Sequence, residues 1–182
     1  VIFYCIPYST NGRLFQAYNE YASLVKDPND YICFLDGDTM FLVKHWGHVI
    51  ERYVKEYPDA GLYTCYASRC SYRAQIPKHG DNTNPNLNFH IGVAKLLNRK
   101  HSLKLGVKYL NRRIAGHLMM IKKSTWDEIK ADVAKEVEDR DKRILGVDTI
   151  ISRAILKRDK KILVMRAVYL LHLFRLDGRL YR

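Results

Sequence analysis

The sequence holds no apolar run long enough to cross a membrane; the longest near its end, "AVYLLHLF", is far too short. Cysteine is sparse. Cys5, Cys33, Cys65 and Cys70 have none of the spacings of a zinc site. They sit mostly inside apolar, strand-like runs. That placement fits buried free thiols in a reducing compartment, with a Cys65–Cys70 pair as the alternative. Basic residues are plentiful but never form a long run, and no zinc-finger or RNA-recognition pattern is present, which argues against a specific nucleic-acid reader. There is no internal repeat and no low-complexity segment. No signal-peptide pattern is visible. The chain opens without Met inside a strand-like run and so reads as trimmed.

What is there describes a globular domain. The 182 residues suffice for one compact domain, residues 1–182, with a real core. Hydrophobic residues make up 47% and charged residues 27%, the balance of a soluble protein. Thirteen tyrosines against six phenylalanines point to half-buried rings with a polar tip. The formal net charge of +12 suits a solvated basic surface, or affinity for phosphorylated substrates or an anionic membrane surface.

Periodicity gives an alternating order of strands and helices. "VIFYCI" reads as a short buried strand. "GRLFQAYNEYASLVK" places Leu14, Phe15, Tyr18, Ala22 and Val25 on one helical face. "YICFL" is a second strand. Trp46, Val49, Ile50, Tyr53, Val54 and Tyr57 recur at helical spacing until Pro58. "AGLYTCYA" is a third strand. This order predicts an α/β fold with a mostly parallel sheet, whose ligands bind at the carboxyl ends of the strands. Tyr8–Gly12 and Asp36–Thr39 lie at two such ends, so they are expected to meet in space.

The segment from Ile76 to Leu97 contains "PKHGDNTNPNLNFH" and reads as a long loop, expected to close as a lid. "IAGHLMMIKK" returns as a strand. "STWDEIKADVAKEVEDRDKR" is a helix with Ser124 and Asp127 spaced as a capping box. Trp126, Ile129, Val133 and Val137 form its apolar face. "DTIISRAILKR" is a further helix, and "KILVM" and "VYLLHLF" are strands.

Asp36 and Asp38 interrupt the apolar run "YICFLDGDTMFLV". Buried carboxylates are costly unless paired or metal-bound. Three readings account for them. Asp36-Gly37 could form a tight hairpin turn. The two carboxylates could hold a hard divalent cation through oxygen. Asp36 could be a phosphohydrolase nucleophile of the haloacid-dehalogenase type, although Thr39 stands one position early for that motif.

"NGRLFQAYNEYASLVKDPNDYICFLDGDTMFL", "AGHLMMIKKSTWDEI" and "LGVDTIISRAILKRDKKILVMRAVYLLHLFR", taken in order, resemble the GT-A nucleotide-sugar glycosyltransferases, most nearly the inverting family 2. The resemblance covers nearly the whole chain. It implies a GT-A fold with a reduced, Rossmann-like nucleotide half, because two strands usual before the metal strand are missing. Val147 stands where the family has Glu before its catalytic Asp. Thr39 replaces a third acidic residue often found in the metal motif.

The resemblance also implies roles. Asp36, Asp38 and His172 would hold Mn²⁺ or Mg²⁺, with Asp36 available to the ribose of the nucleotide. On its own, His172 would read as a core histidine. Asp148 would be the general base, where its position alone suggests a helix N-cap. Pro7 and Tyr8 would border the nucleotide base. Gly116 and His117 would lie near the donor sugar. Asn11 and Arg13, at a helix start, suit phosphate, and the guanidinium of Arg175 suits a diphosphate. Arg179 and Arg182 would do the same or solvate the tail. The donor would be a nucleotide sugar, UDP-linked by preference. The acceptor would be a carbohydrate, a lipid-linked group or a protein. The expected location is cytoplasmic, with peripheral membrane contact. The competing class without catalysis is a basic polyanion-binding module.

Overall fold

The computed structural model describes residues 1–10, 13–78, 80, 84–138 and 146–173. They form a mixed α/β fold: seven strands in parallel and antiparallel pairing, flanked by helices. In chain order these are β1 (Ile2–Cys5), α1 (Leu14–Leu24), β2 (Tyr31–Leu35), β3 (Thr39–Phe41), α2 (Trp46–Glu56), β4 (Ala60–Ala67), α3 (Leu87–His101), β5 (Val107–Leu110), β6 (Leu118–Lys122), α4 (Lys123–Glu138), α5 (Val147–Leu156) and β7 (Lys161–His172). The chain divides into two units. Among the described residues, the first comprises those within 1–37, 59–64 and 109–163, and the second those within 38–58, 65–108 and 164–173.

In the first unit the strand order is β1-β2-β6-β4. β1 and β2 are parallel, and β6 is antiparallel to both β2 and β4. The expected mostly parallel sheet is therefore a mixed one. β1, β2 and β4 do share a direction, but β6 from much later in the chain is inserted between β2 and β4. Hydrophobic periodicity encodes which face of a strand is buried, not which strand lies beside it. β1 is also an edge strand rather than a buried one. Phe3 and Tyr4 stay exposed, because β1 pairs only with β2 in this order.

Aromatic packing organises this unit. Trp126 of α4 is buried; its ring stands edge-on to Phe34 at 5.2 Å and tilted to Phe15 at 6.0 Å. Tyr18 of α1 stacks on Phe34 at 4.6 Å. Ile129 and Val133 follow Trp126 around the helix and are fully buried, as the periodicity predicted. Ser124 and Asp127 do not form a capping box, however. α4 starts at Lys123 directly from β6, Ser124 N donates to Pro28 O at 3.0 Å, and Asp127 pairs with Lys123 and Lys130. Those two cations and their hydrogen bonds hold the Asp127 carboxyl below its ordinary value, against the opposing effect of burial.

In the second unit the end of β4 is followed by β7 and then β3, with β5 also on β7. The two expected strands "KILVM" and "VYLLHLF" are one continuous strand, β7. α2 is anchored by its tyrosines. Tyr53 donates to Gly106 O at 2.7 Å and accepts from Ala167 N at 3.1 Å, while Tyr57 donates to Leu105 O at 3.1 Å. The expected long loop from Ile76 to Leu97 is overturned at Leu87, where α3 begins. The Asn86 side chain caps it, accepting from Asn88 N at 2.8 Å and Phe89 N at 3.4 Å. Asparagines that read as loop residues are here the cap of a helix. Its buried face is His90, Val93, Ala94, Leu97 and His101.

None of the four cysteines is in a disulfide; Cys33, Cys65 and Cys70 are buried. No helix among the described residues is long and apolar enough to cross a membrane.

Candidate functional site

The Asp36–Asp38 turn is not a hairpin. β3, which follows it, pairs antiparallel with β7, whereas β2, which precedes it, pairs with β1 and β6. The turn is a crossing between different strand neighbours. That disposes of the hairpin as the reason for two carboxylates.

In the second unit, Thr39 lies opposite His172 in the β3–β7 register, and Leu173 N donates to Asp38 O at 2.8 Å. This pairing brings Asp38 Oδ1 to 3.3 Å from His172 Nε2. The Asp38 side chain is 43% exposed, the His172 side chain only 12%. Ser68 holds the strand end, its Oγ accepting from His172 N at 3.0 Å. One carboxylate oxygen and one imidazole nitrogen thus face each other. Asp36, one glycine upstream, belongs to the first unit. Carboxylate oxygen with imidazole nitrogen suits Mn²⁺, and Mg²⁺ less well, since it favours oxygen alone.

In the first unit, Asp36 N donates to His117 O at 3.3 Å, which extends the β2–β6 pairing beyond both strands. Gly116 is next to His117. A methyl group placed on Gly116 would stand 3.2 Å from Asp148 Cβ, so the glycine permits the helix start to approach this closely. Asp36 and Asp148 are thereby joined through two consecutive residues. A Cβ on Gly37 would stand 3.4 Å from a side-chain methyl of Ile6, so the end of β1 does approach the Asp36–Gly37 turn.

Asp148 is not the N-cap of α5. Gly146 is, at φ 114°, a left-handed conformation that favours glycine. Asp148 sits in the first turn, half-buried. Burial raises its carboxyl above the ordinary value. Hydrogen bonds from the backbone of Thr149 (2.7 Å to Oδ1) and Gly116, and the charge of Arg113, oppose that rise.

Tyr18 escaped the sequence reading as a site residue, since its spacing marks it only as core. It is 4% exposed. Burial raises its phenol above the usual value, and the charges of Asp36 and Asp148 raise it further. Its ring rests on Phe34 while its hydroxyl lies in the field of both carboxylates. Residues i and i+2 of a strand share a face, so Phe34 two places before Asp36 is the one sequence signal that could have found it.

The other expected site residues are dispersed. Pro7 is half-buried, and Tyr8 is 75% exposed, with a ring face available for stacking. Arg13 precedes α1 and borders a cleft of about 620 Å³ with Leu14, Phe15, Val137, Glu138 and Val147. His117 is buried at the start of β6. Asn11, Arg175, Arg179 and Arg182 lie outside the described residues.

No family model, no curated protein and no solved structure matches this chain.

Proposed function

We propose that the chain is a metal-dependent glycosyltransferase of the GT-A type, similar to family 2. It would move a sugar from a nucleotide-diphosphate sugar, UDP-linked by preference, to an acceptor hydroxyl, with inversion. The observation that carries this reading is the 3.3 Å approach of Asp38 Oδ1 to His172 Nε2. Two residues distant in sequence, one at each end of the resemblance, converge on one point through a strand register.

In this reading Asp38 and His172 hold the ion, with Asp36 as a third ligand or as the ribose contact. A divalent ion bound there would supply Lewis acidity toward the leaving diphosphate. Asp148 takes the proton of the acceptor hydroxyl as that oxygen attacks the anomeric carbon. Its raised pKa suits the task, because a base too weakly basic accepts protons poorly. The hydrogen bonds from Thr149 and Gly116 fix the carboxylate's orientation. Gly116 leaves room beside it. Tyr18, its phenol kept neutral by burial and by the charges of Asp36 and Asp148, stands behind them.

The test is transfer from a panel of UDP- and GDP-sugars with manganese present and after chelation. Metal-dependent release of nucleoside diphosphate, lost in Asp38→Ala, is the expected result. Release of inorganic phosphate with an aspartyl-phosphate at Asp36 would instead identify a phosphohydrolase.

A further inference from the structure

The first unit holds a cleft that the proposed chemistry does not use. It is lined by the start of α1, the end of α4 and the start of α5, and measures about 620 Å³, within the range of small-molecule sites. Phe15 and Val147 are its buried lining. Leu14, Ala134 and Val137, all half-buried, complete the apolar part. Phe15 is backed by Trp126, the two rings tilted at 6.0 Å. The apolar lining therefore rests on the packed aromatic cluster between α1 and α4.

Charge and position together indicate what such a cleft would take. Its exposed rim carries Glu20 and Glu138 against one guanidinium, Arg13, in a chain with 31 basic and 19 acidic side chains. Glu20 also accepts from Gln16 Nε2 at 3.1 Å. A rim with more carboxylates than cations repels a nucleotide diphosphate, so the donor is a poor occupant. An apolar lining takes an uncharged apolar group, since burying a charge there would be costly. Position links the cleft to the proposed base. Val147 lines it, and Asp148 is the next residue of the same helix. Consecutive Cα atoms lie about 3.8 Å apart, so a group seated against Val147 is beside Asp148.

We propose that this cleft binds an uncharged apolar group of the acceptor, such as an aryl aglycone, beside Asp148. The inference rests on the transferase reading and narrows its acceptor to a neutral compound with an apolar part. Phe15, Val137 and Val147 would contact that part. Ala134 contributes only a methyl group to the lining, so a larger side chain there would take up the space.

Two variants of the full chain test it. Ala134→Phe fills the cleft from α4. Gln16→Trp, at an exposed rim position, narrows it from α1 and serves if the first variant fails to fold. Phenylnaphthylamine, a neutral apolar dye, reports binding by fluorescence without any reaction. The native chain should bind it saturably, and each variant at least about tenfold more weakly. Transfer is then measured from UDP- and GDP-sugars with manganese, to methyl and nitrophenyl glycosides of the same sugars. The native chain should prefer the nitrophenyl acceptors by about tenfold or more in kcat/KM, the scale for burying an aromatic ring. The variants should lose that preference while KM for the donor stays the same. No release of nucleoside diphosphate from any donor overturns the transferase reading, and this acceptor assignment with it. Release without a preference for nitrophenyl acceptors, or with a preference that both variants keep, overturns the inference alone. So does dye binding that neither substitution weakens.

Discussion

Asp38 Oδ1 and His172 Nε2 lie 3.3 Å apart because β3 and β7 pair antiparallel with Thr39 opposite His172. β7 buries most of its length and ends half-buried at His172. The carboxylate comes from the turn before a three-residue strand. The relationship rests on backbone register and is therefore set before any ligand binds.

If this pair holds a cation, manganese alone should bind the native chain in calorimetry. Asp38→Ala and His172→Ala should each weaken that binding by about ten- to a hundredfold, on the scale of metal affinity lost with supporting groups. The double variant should add little beyond the stronger single one, since one site is already lost. Native affinity in both single variants would remove the site.

Asp148→Asn should lower transfer by about two to four orders of magnitude, the usual scale for loss of a general base, with donor affinity unchanged. Stability gives an independent check. The folded pKa of Asp148 is raised by burial. Its contribution to stability is therefore fully present below the unfolded value and is lost as pH rises through the folded value. At neutral pH the native carboxylate is charged and partly desolvated; Asn is neutral and still accepts from Thr149. The variant should melt at the same temperature as the native chain or above it at pH 7, with the difference vanishing in acid. A melting temperature that falls at pH 7 and recovers in acid contradicts the assignment.

Gly116→Ala tests the closeness of the helix start. The added methyl would meet Asp148 Cβ at 3.2 Å, tighter than ordinary contact, so one of the two must shift. Displacing a base by a fraction of an ångström should cost about ten- to a hundredfold in turnover. The stability cost should stay near 1 kcal/mol, the low end of overpacking. Unchanged turnover would mean that Asp148 does not need its present position.

Asn86→Ala should destabilise the second unit by about 1 kcal/mol, the usual cost of an N-cap. Asn86→Asp should restore it. Chemical denaturation of the three proteins gives the answer. Equal midpoints for all three would show that α3 is held by its buried face alone.

His101 packs against Gly106, where any Cβ would meet its ring at 2.4 Å. Burial, then Arg166 and Lys100, lower its pKa below the ordinary 6.5. A lowered histidine contributes stability above its unfolded value and loses it as pH falls through the folded value. His101→Gln should flatten the decline in melting temperature below pH 6.5. An unaltered slope would place the acid sensitivity elsewhere.

Several features were legible without coordinates because they are local. Trp126, Ile129 and Val133 repeat at helical spacing, and all three are buried. Pro58 ends the segment of α2, whose last helical residue is Glu56. The Asp36–Asp38 pair stood out as carboxylates in an apolar run. Short-range chemistry misled where one residue type serves two ends: Asn86 caps α3, yet the asparagines around it read as loop.

The sequence by itself determined which segments are apolar on one face and where charge interrupts them, since periodicity and composition act within a few residues. Only the tertiary structure decided which strands are neighbours. It inserted β6 between β2 and β4, split the pairing on either side of Gly37, and set His172 opposite Thr39. It also stacked Tyr18 on Phe34, within the field of two carboxylates. These are contacts between distant segments. Their free energy comes from burying one element against another, which no local window of sequence contains.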